Sequence, residues 1–208
     1  MKVVVFGASG RVGSHVVALL LAENHEVVAC VHSRNPLRPH RRLQVVQLDV
    51  HDQVKVTEVI RGSQAVLSAL SNWGSKEGDV LTAAMKAITP AMENTGVKRI
   101  ISLTGNAAFT PDDKPSAIQK ANRAMLAKIA PKVLADGEQH MRILRESGLD
   151  WTVLRSPVMN VFGTESYKLR DTLSGAIATI HRDAVARAMV EQIGDVKWVR
   201  KTPTIWRS

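Results

Sequence analysis

The chain has 208 residues, with 28 Lys and Arg against 19 Asp and Glu; 45% of residues are apolar and 23% charged. At roughly 150 residues per domain this is about one domain, able to bury its own core, and the balance excludes wholesale disorder. No apolar run reaches the ~20 residues of a membrane helix, Val3–Phe6 is too short for a signal-peptide core, and a single cysteine, Cys30, excludes an internal disulfide, so a cytoplasmic protein is expected.

Taken in chain order, Val3–Phe6 is a β-branched run stopped by glycine and reads as a buried strand. Arg11–Ala22 carries its apolar residues at helical spacing. Glu26–Val31 and Leu43–Leu48 are the next strands. Asp52 caps a helix to about Arg61, and Ala65–Leu70 is strand four. Gly78–Asn94 is helical, with a kink expected at Pro90. Arg99–Leu103 is strand five, and Ser116–Glu146 is helix interrupted at Pro131. Ser147-Gly148 ends it, glycine suiting a left-handed cap. Trp151–Leu154 is strand six, and His181–Ile193 the last helix.

This alternation implies an α/β fold: a Rossmann-like, doubly wound parallel sheet in three αβα layers, forming one domain over residues 1–208. Right-handed crossovers put the C-terminal ends of the strands on one rim, where ligands bind. The segments after each strand are therefore the ones to inspect.

Gly7-Ala8-Ser9-Gly10-Arg11-Val12-Gly13 joins the first strand to the first helix. Gly7 permits a tight turn, Gly10 a close approach of backbone to a pyrophosphate, and Gly13 close packing of helix on sheet. The helix N-terminus offers N–H groups to phosphates, Ser9 adds a hydroxyl and Arg11 a cation. A tight turn without a ligand is the competing reading. After the second strand an NAD site would place an acid for the ribose 2′-hydroxyl. Here His32-Ser33-Arg34 follow, and Arg34, with Arg38, suits a 2′-phosphate, so NADP(H) is expected over NAD(H). Asp49-Val50 would edge the adenine, unless Asp49 caps the next helix. A pI near 10.1 raises the question of nucleic acid, but the basic residues gather in the Arg34–Arg42 loop and at the C-terminus (Lys197, Arg200, Lys201, Arg207). No basic helix is interleaved with aromatics, so no nucleic-acid partner is expected.

The glycine spacing, Asp49, the Gly96-Val97-Lys98-Arg99 lead into strand five and the run Leu144–Pro157 together resemble the atypical short-chain dehydrogenase/reductases. The chain is similar to the compact NAD(P)H-binding and NmrA-like proteins of that group, which include biliverdin-IXβ/flavin reductase. The resemblance implies a pyrophosphate loop at Gly7, Ser9, Gly10, Arg11 and Val12, and a 2′-phosphate region at His32, Ser33 and Arg34. It implies an adenine edge at Asp49 and Val50, and ribose contacts at Ala69 and Leu70. Leu103 and Thr104 would lie beside the nicotinamide, with Pro157 and Val158 behind it. The chain departs from the group in lacking its Tyr-x-x-x-Lys pair: the one tyrosine, Tyr167, lies beyond strand six, and residues 116–146 hold Lys120, Lys128 and Lys132 but no tyrosine. Gly105 stands where the usual serine would be, which leaves Thr104 as the catalytic candidate, with capping of the strand end as its structural alternative.

The implied activity is an NADP(H)-dependent oxidoreductase passing hydride to a flat conjugated acceptor of flavin, quinone or tetrapyrrole type. The alternative is a non-catalytic NAD(P) sensor or assembly protein of NmrA-like type. Four of the eight aromatics, Trp73, Phe109, Phe162 and Tyr167, follow strands four to six with Met159 among them, and would line an acceptor site or pack loops. The loops 104–118 and 157–176 would form a small cap there. No metal is expected, the histidines being scattered, and Cys30 and His140 are read as structural. The expected partner is a small molecule bound by a monomer or homodimer.

Overall fold

The computed structural model describes residues 1–175 and 177–208. Its first half follows the expected alternation: β1 (Lys2–Phe6), α1 (Gly13–Ala22), β2 (Glu26–Val31), β3 (Leu43–Gln47), α2 (Gln53–Ile60), β4 (Ala65–Ser68) and α3 (Val80–Thr95). The rest is β5 (Arg99–Gly105), α4 (Ala117–Ile129), α5 (Pro131–Glu146), β6 (Asp150–Ser156), β7 (Val158–Asn160), β8 (Tyr167–Arg170), β9 (Thr179–His181), α6 (Arg182–Glu191) and β10 (Thr204–Arg207). Eight strands form one sheet in the order β3-β2-β1-β4-β5-β6-β10-β8, and β7 pairs with β9 separately. Every pairing in the main sheet is parallel except β8 on β10. This is a Rossmann-like doubly wound sheet, and its strand order reverses between β1 and β4.

The central strands β1, β2 and β4 are nearly unbroken buried runs, as helices cover both faces there. Val3, Val5, Ala29 and Leu67 face one core with Val16 and Leu20 of α1 and Val185 and Met189 of α6. Val4, Phe6, Val28 and Val66 face the other with Val56 of α2, Met85 and Met92 of α3, and Met141 and Leu144 of α5. α4 buries no residue fully, but packs Leu126 and Ala127 against the second core.

Local chemistry sets the helix ends. The Asp52 carboxylate accepts from the Lys55 N–H at 3.1 Å, capping α2. Asp49 is not that cap; it accepts from the His51 N–H at 2.9 Å and makes its own turn. Ser116 and Gln119 form a reciprocal capping box on α4, and Pro131 begins α5 where its missing donor does no harm. Two expectations are corrected. α3 starts at Val80 rather than at Gly78, and runs through Pro90 to Thr95. The left-handed cap sits not at Gly148 but at Gly96, φ +76°, after α3. At the end of α5 the Ser147 hydroxyl donates to the Leu144 carbonyl at 2.7 Å and accepts from the Leu149 N–H, so the chain turns without a left-handed residue.

The C-terminal strands were not anticipated. β10 pairs in parallel with β6 through Thr204 and Arg155, and β8 adds antiparallel to β10. Across this edge Arg170 of β8 lies 4.9 Å from the Trp206 ring of β10, and two of the C-terminal cations, Lys197 and Lys201, lie 5.2 and 5.4 Å from the Trp198 ring.

Candidate functional site

One cavity of about 900 Å³ spans the rim of the sheet, walled by the C-terminal ends of β1 to β6. Gly7, Ser9, Gly10, Arg11 and Val12 form its floor beside β1. Gly7 has φ +73°, and a Cβ on it would meet the Ala69-Leu70 backbone at 2.9 Å. A Cβ on Gly13 would stand 2.1 Å from the Gly7 carbonyl oxygen, so only glycine lets α1 start this close to the turn. The turn is pinned by Gly10 N–H to Gly7 C=O at 2.9 Å and Ala8 N–H to Cys30 C=O at 3.2 Å. α1 has no side-chain cap and no acid in its first turn. Among the described residues, the N–H groups of Ser9, Arg11 and Val12 donate to nothing. A helix start with free donors, a positive end of the peptide dipole and no side chain in the way is a cradle for a phosphate.

His32, Asp49, Val50, Ala69 and Leu70 line the next stretch. The His51 N–H, helped by the imidazole 2.7 Å away, holds the Asp49 carboxyl below the usual carboxylate range. Ser33 and Arg34 are exposed and stand outside the cavity wall, in the loop that continues from His32. Arg42, from the same loop, donates to the Asn24 side chain.

The far half is walled by Leu103, Thr104, Pro157 and Val158, joined by Trp73, Phe109 and Met159. Two expected aromatics are elsewhere. Phe162 is 78% exposed in the turn after β7 and off the wall. Tyr167 is on β8 at the sheet edge, where its hydroxyl donates to Glu191 of α6; burial and that carboxylate push the phenol upward. Both are displaced because Phe162–Arg170 runs outward to extend the sheet rather than folding over the rim. Position 176, at the end of the expected cap, lies outside the described residues.

Long-range side-chain bonds hold this far half. Buried Arg155 of β6 meets the Asp113 carboxylate at 2.6 Å and donates to the Thr202 carbonyl at 2.8 Å, while Asp113 accepts from the Thr110 N–H. Asn106 pairs with the Ser174 backbone through both ends of its amide, and Gln119 of α4 donates to the Leu173 and Ser174 carbonyls. Asp136 of α5 accepts from the Leu81 and Thr82 N–H groups at 3.0 and 2.8 Å, capping α3 from outside. The sequence reading missed Asn106, Gln119, Asn122 and Arg182, all on the cavity wall. Asn106 sits directly after β5, the one position among these that the strand-end rule could have flagged.

Thr104 is 7% exposed and lies under α5, where a Cβ on Gly137 would stand 2.6 Å from its hydroxyl. Val133 and Leu134 present the α5 surface to the cavity, so this helix brings neither phenol nor ammonium there. His140 is fully buried between the Ser102 hydroxyl at 2.8 Å and the Gly137 carbonyl at 3.2 Å. Burial depresses its pKa to about 4, and pushes that of the Cys30 thiol up to about 12. Away from the cavity, Glu165, His181 and Asp183 bring ligand atoms within 4.8 Å of one another, a grouping that scattered sequence positions concealed. Its acids already have partners: Glu165 meets Arg187 at 3.3 Å and Asp183 meets His15 at 2.7 Å. Among the described residues no helix is long and apolar enough to cross a membrane.

A model of the NAD(P)H-binding family matches residues 7–195, and the chain belongs to that family. Solved structures share its fold. A short-chain dehydrogenase/reductase from Veillonella parvula in complex with NADP superposes with a TM-score of 0.79 at 18% identity, over 99% of this chain and 94% of that one. An oxidoreductase from Lactococcus lactis gives 0.83 at 18%, covering 100% and 91%. An anaerobillin reductase from Escherichia coli O157:H7 gives 0.77 at 18%, covering 100% and 97%.

Proposed function

We propose that this member of the family is an NADP(H)-dependent oxidoreductase that delivers hydride to a flat, conjugated acceptor of flavin, quinone or tetrapyrrole type. The observation that carries the reading is the continuity of the cavity. A phosphate cradle at one end runs without a break into a wall of Trp73, Phe109, Leu126, Val133 and Met159 at the other. The first end fits a dinucleotide, because the Cβ-free turn and the free N–H groups are what a pyrophosphate requires. The second suits a ring stacked on the nicotinamide. The preference for NADP(H) rests on the absence of an acid after β2 and on Arg34, whose fork matches a 2′-phosphate. The named NADP complex of the Veillonella parvula protein and the named reductase activity of the Escherichia coli protein agree with this reading.

When bound, NADPH supplies a hydride, and the acceptor takes up that hydride with one proton. Leu103 and Pro157 position the nicotinamide end, and the loop 106–113, tied by Asn106 to Ser174 and by Asp113 to Arg155, holds the acceptor wall. Thr104 orients the acceptor by its hydroxyl. With no phenol on α5, the proton comes from solvent, which an acceptor with its own acid–base groups tolerates. The test is NADPH oxidation, followed spectrophotometrically, against a panel of flavins, quinones and linear tetrapyrroles. Turnover above background is expected with at least one class; none with any class contradicts the reading.

The Val133, Leu134 and Gly137 surface over Thr104 favours one alternative, a non-catalytic NAD(P) sensor. It predicts saturable NADPH binding, no hydride transfer and a protein partner that responds to the dinucleotide.

A further inference from the structure

Arg182 opens α6 and lines the same cavity as Gly10 and Arg11. Its place is fixed from two sides. The next residue, Asp183, meets His15 in the first turn of α1 at 2.7 Å, which holds the start of α6 against the helix that follows the glycine loop. The preceding strand, β9, pairs with β7 directly after Pro157. Arg182 thus stands where the glycine loop meets the segment behind the nicotinamide.

Its charge is unspent. Among the described residues the half-buried Arg182 guanidinium makes no hydrogen bond and no ion pair, and the nearby acids are engaged elsewhere. Asp183 serves His15 and, at 3.8 Å, His181, while Glu165 serves Arg187. A guanidinium partly removed from water, with no carboxylate of its own, is a recognition group for an anion that arrives with a ligand. Across the cavity α1 offers N–H donors but no capping side chain, and Arg11 beside them is exposed.

We propose that Arg182 is a second cation on the dinucleotide pyrophosphate, gripping from the α6 side the phosphates that the glycine loop cradles from below. The inference rests on the dinucleotide reading above and adds a residue and a role to it. The planar fork suits paired phosphate oxygens, and the contact is blind to the 2′-phosphate. Arg182 therefore sets affinity for either dinucleotide, while Arg34 discriminates between them.

The test titrates the wild type, Arg182→Ala and Arg182→Lys with NADPH, NADH and adenosine 2′-monophosphate, which lacks the pyrophosphate. Thermal melts without ligand check that the variants fold. Arg182→Ala is expected to weaken NADPH and NADH alike, by about tenfold, with Arg182→Lys recovering part of the loss. The 2′-monophosphate is expected to bind unchanged, and the salt dependence of NADPH binding to become shallower. Unchanged dinucleotide affinity overturns the proposal. If acceptor KM rises in that case, Arg182 meets the acceptor instead. A wild type that saturates with neither dinucleotide is a different failure, that of the underlying reading.

Discussion

From Gly7 to Leu70 the cavity wall is built on a glycine turn and the ends of parallel strands. Its shape comes from φ at Gly7, from the missing Cβ of Gly13 and from strand ends held in parallel register. From Asn72 onward the wall is held by side chains that reach far along the chain: Arg155 to Asp113 across 42 residues, Asp136 to Thr82 across 54, Asn106 to Ser174 across 68. On the proposed reading, the first half is a fixed turn that serves one kind of ligand group, a phosphate. The second is a set of loops tied into place, whose lining can change while the ties remain, which is how one fold serves many acceptors.

If the first half is built on that turn, the heaviest loss follows from filling it. Gly13→Ala puts a methyl group 2.1 Å from the Gly7 carbonyl oxygen, so the turn and helix must part. NADPH affinity in a fluorescence titration is expected to fall by at least ~100-fold, with a lower urea midpoint. Retained affinity would mean that the turn adapts and is not fixed.

The second half breaks at its ties. Arg155→Met leaves the buried Asp113 carboxylate without its cation, and is expected to cost about 3–5 kcal/mol in urea unfolding. The Arg155→Met/Asp113→Leu double variant should recover much of that. In the folded fraction, NADPH should bind nearly as in the wild type while acceptor KM rises, because the loop that moves walls only the acceptor. Equal losses of both would show that the halves are not separable.

A pH profile sharpens the same division. His140, under the acceptor wall, titrates near 6.5 when unfolded and is depressed to about 4 by burial in the folded chain. Between those values the unfolded chain takes up a proton that the native state refuses. The stability contributed is therefore whole above pH 6.5 and is lost as the pH falls towards 4, by about 3 kcal/mol. Urea unfolding of the wild type and His140→Gln across this range should show a flatter profile for the variant; parallel profiles would locate the acid sensitivity elsewhere.

The smallest effect is the most selective. Arg34→Ala is expected to weaken NADPH by about tenfold and NADH hardly at all, since only the former carries the 2′-phosphate. Equal losses would remove the basis for the NADP(H) preference.

How much of this the sequence disclosed follows the same line between the halves. The glycine turn, the succession of strands to β6 and the helices between them were legible because each is a local pattern: a spacing of three glycines, a β-branched run, an amphipathic helix. The β10 and β8 strands were not, since Thr204–Arg207 and Tyr167–Arg170 are short and find their partners only through the finished sheet. Tyr167 was misplaced for that reason. Arg182 went unnoticed as one basic residue among 28; only the folded chain shows its acidic neighbours occupied and its guanidinium on the cavity wall.

The central claim is that the Gly7–Gly13 turn and the wall beyond it hold a nicotinamide dinucleotide. Calorimetric titration of the unmodified protein with NADPH and with NADH tests it most directly. The account predicts one saturable site per chain, tighter for NADPH; no heat and no saturation with either would contradict it.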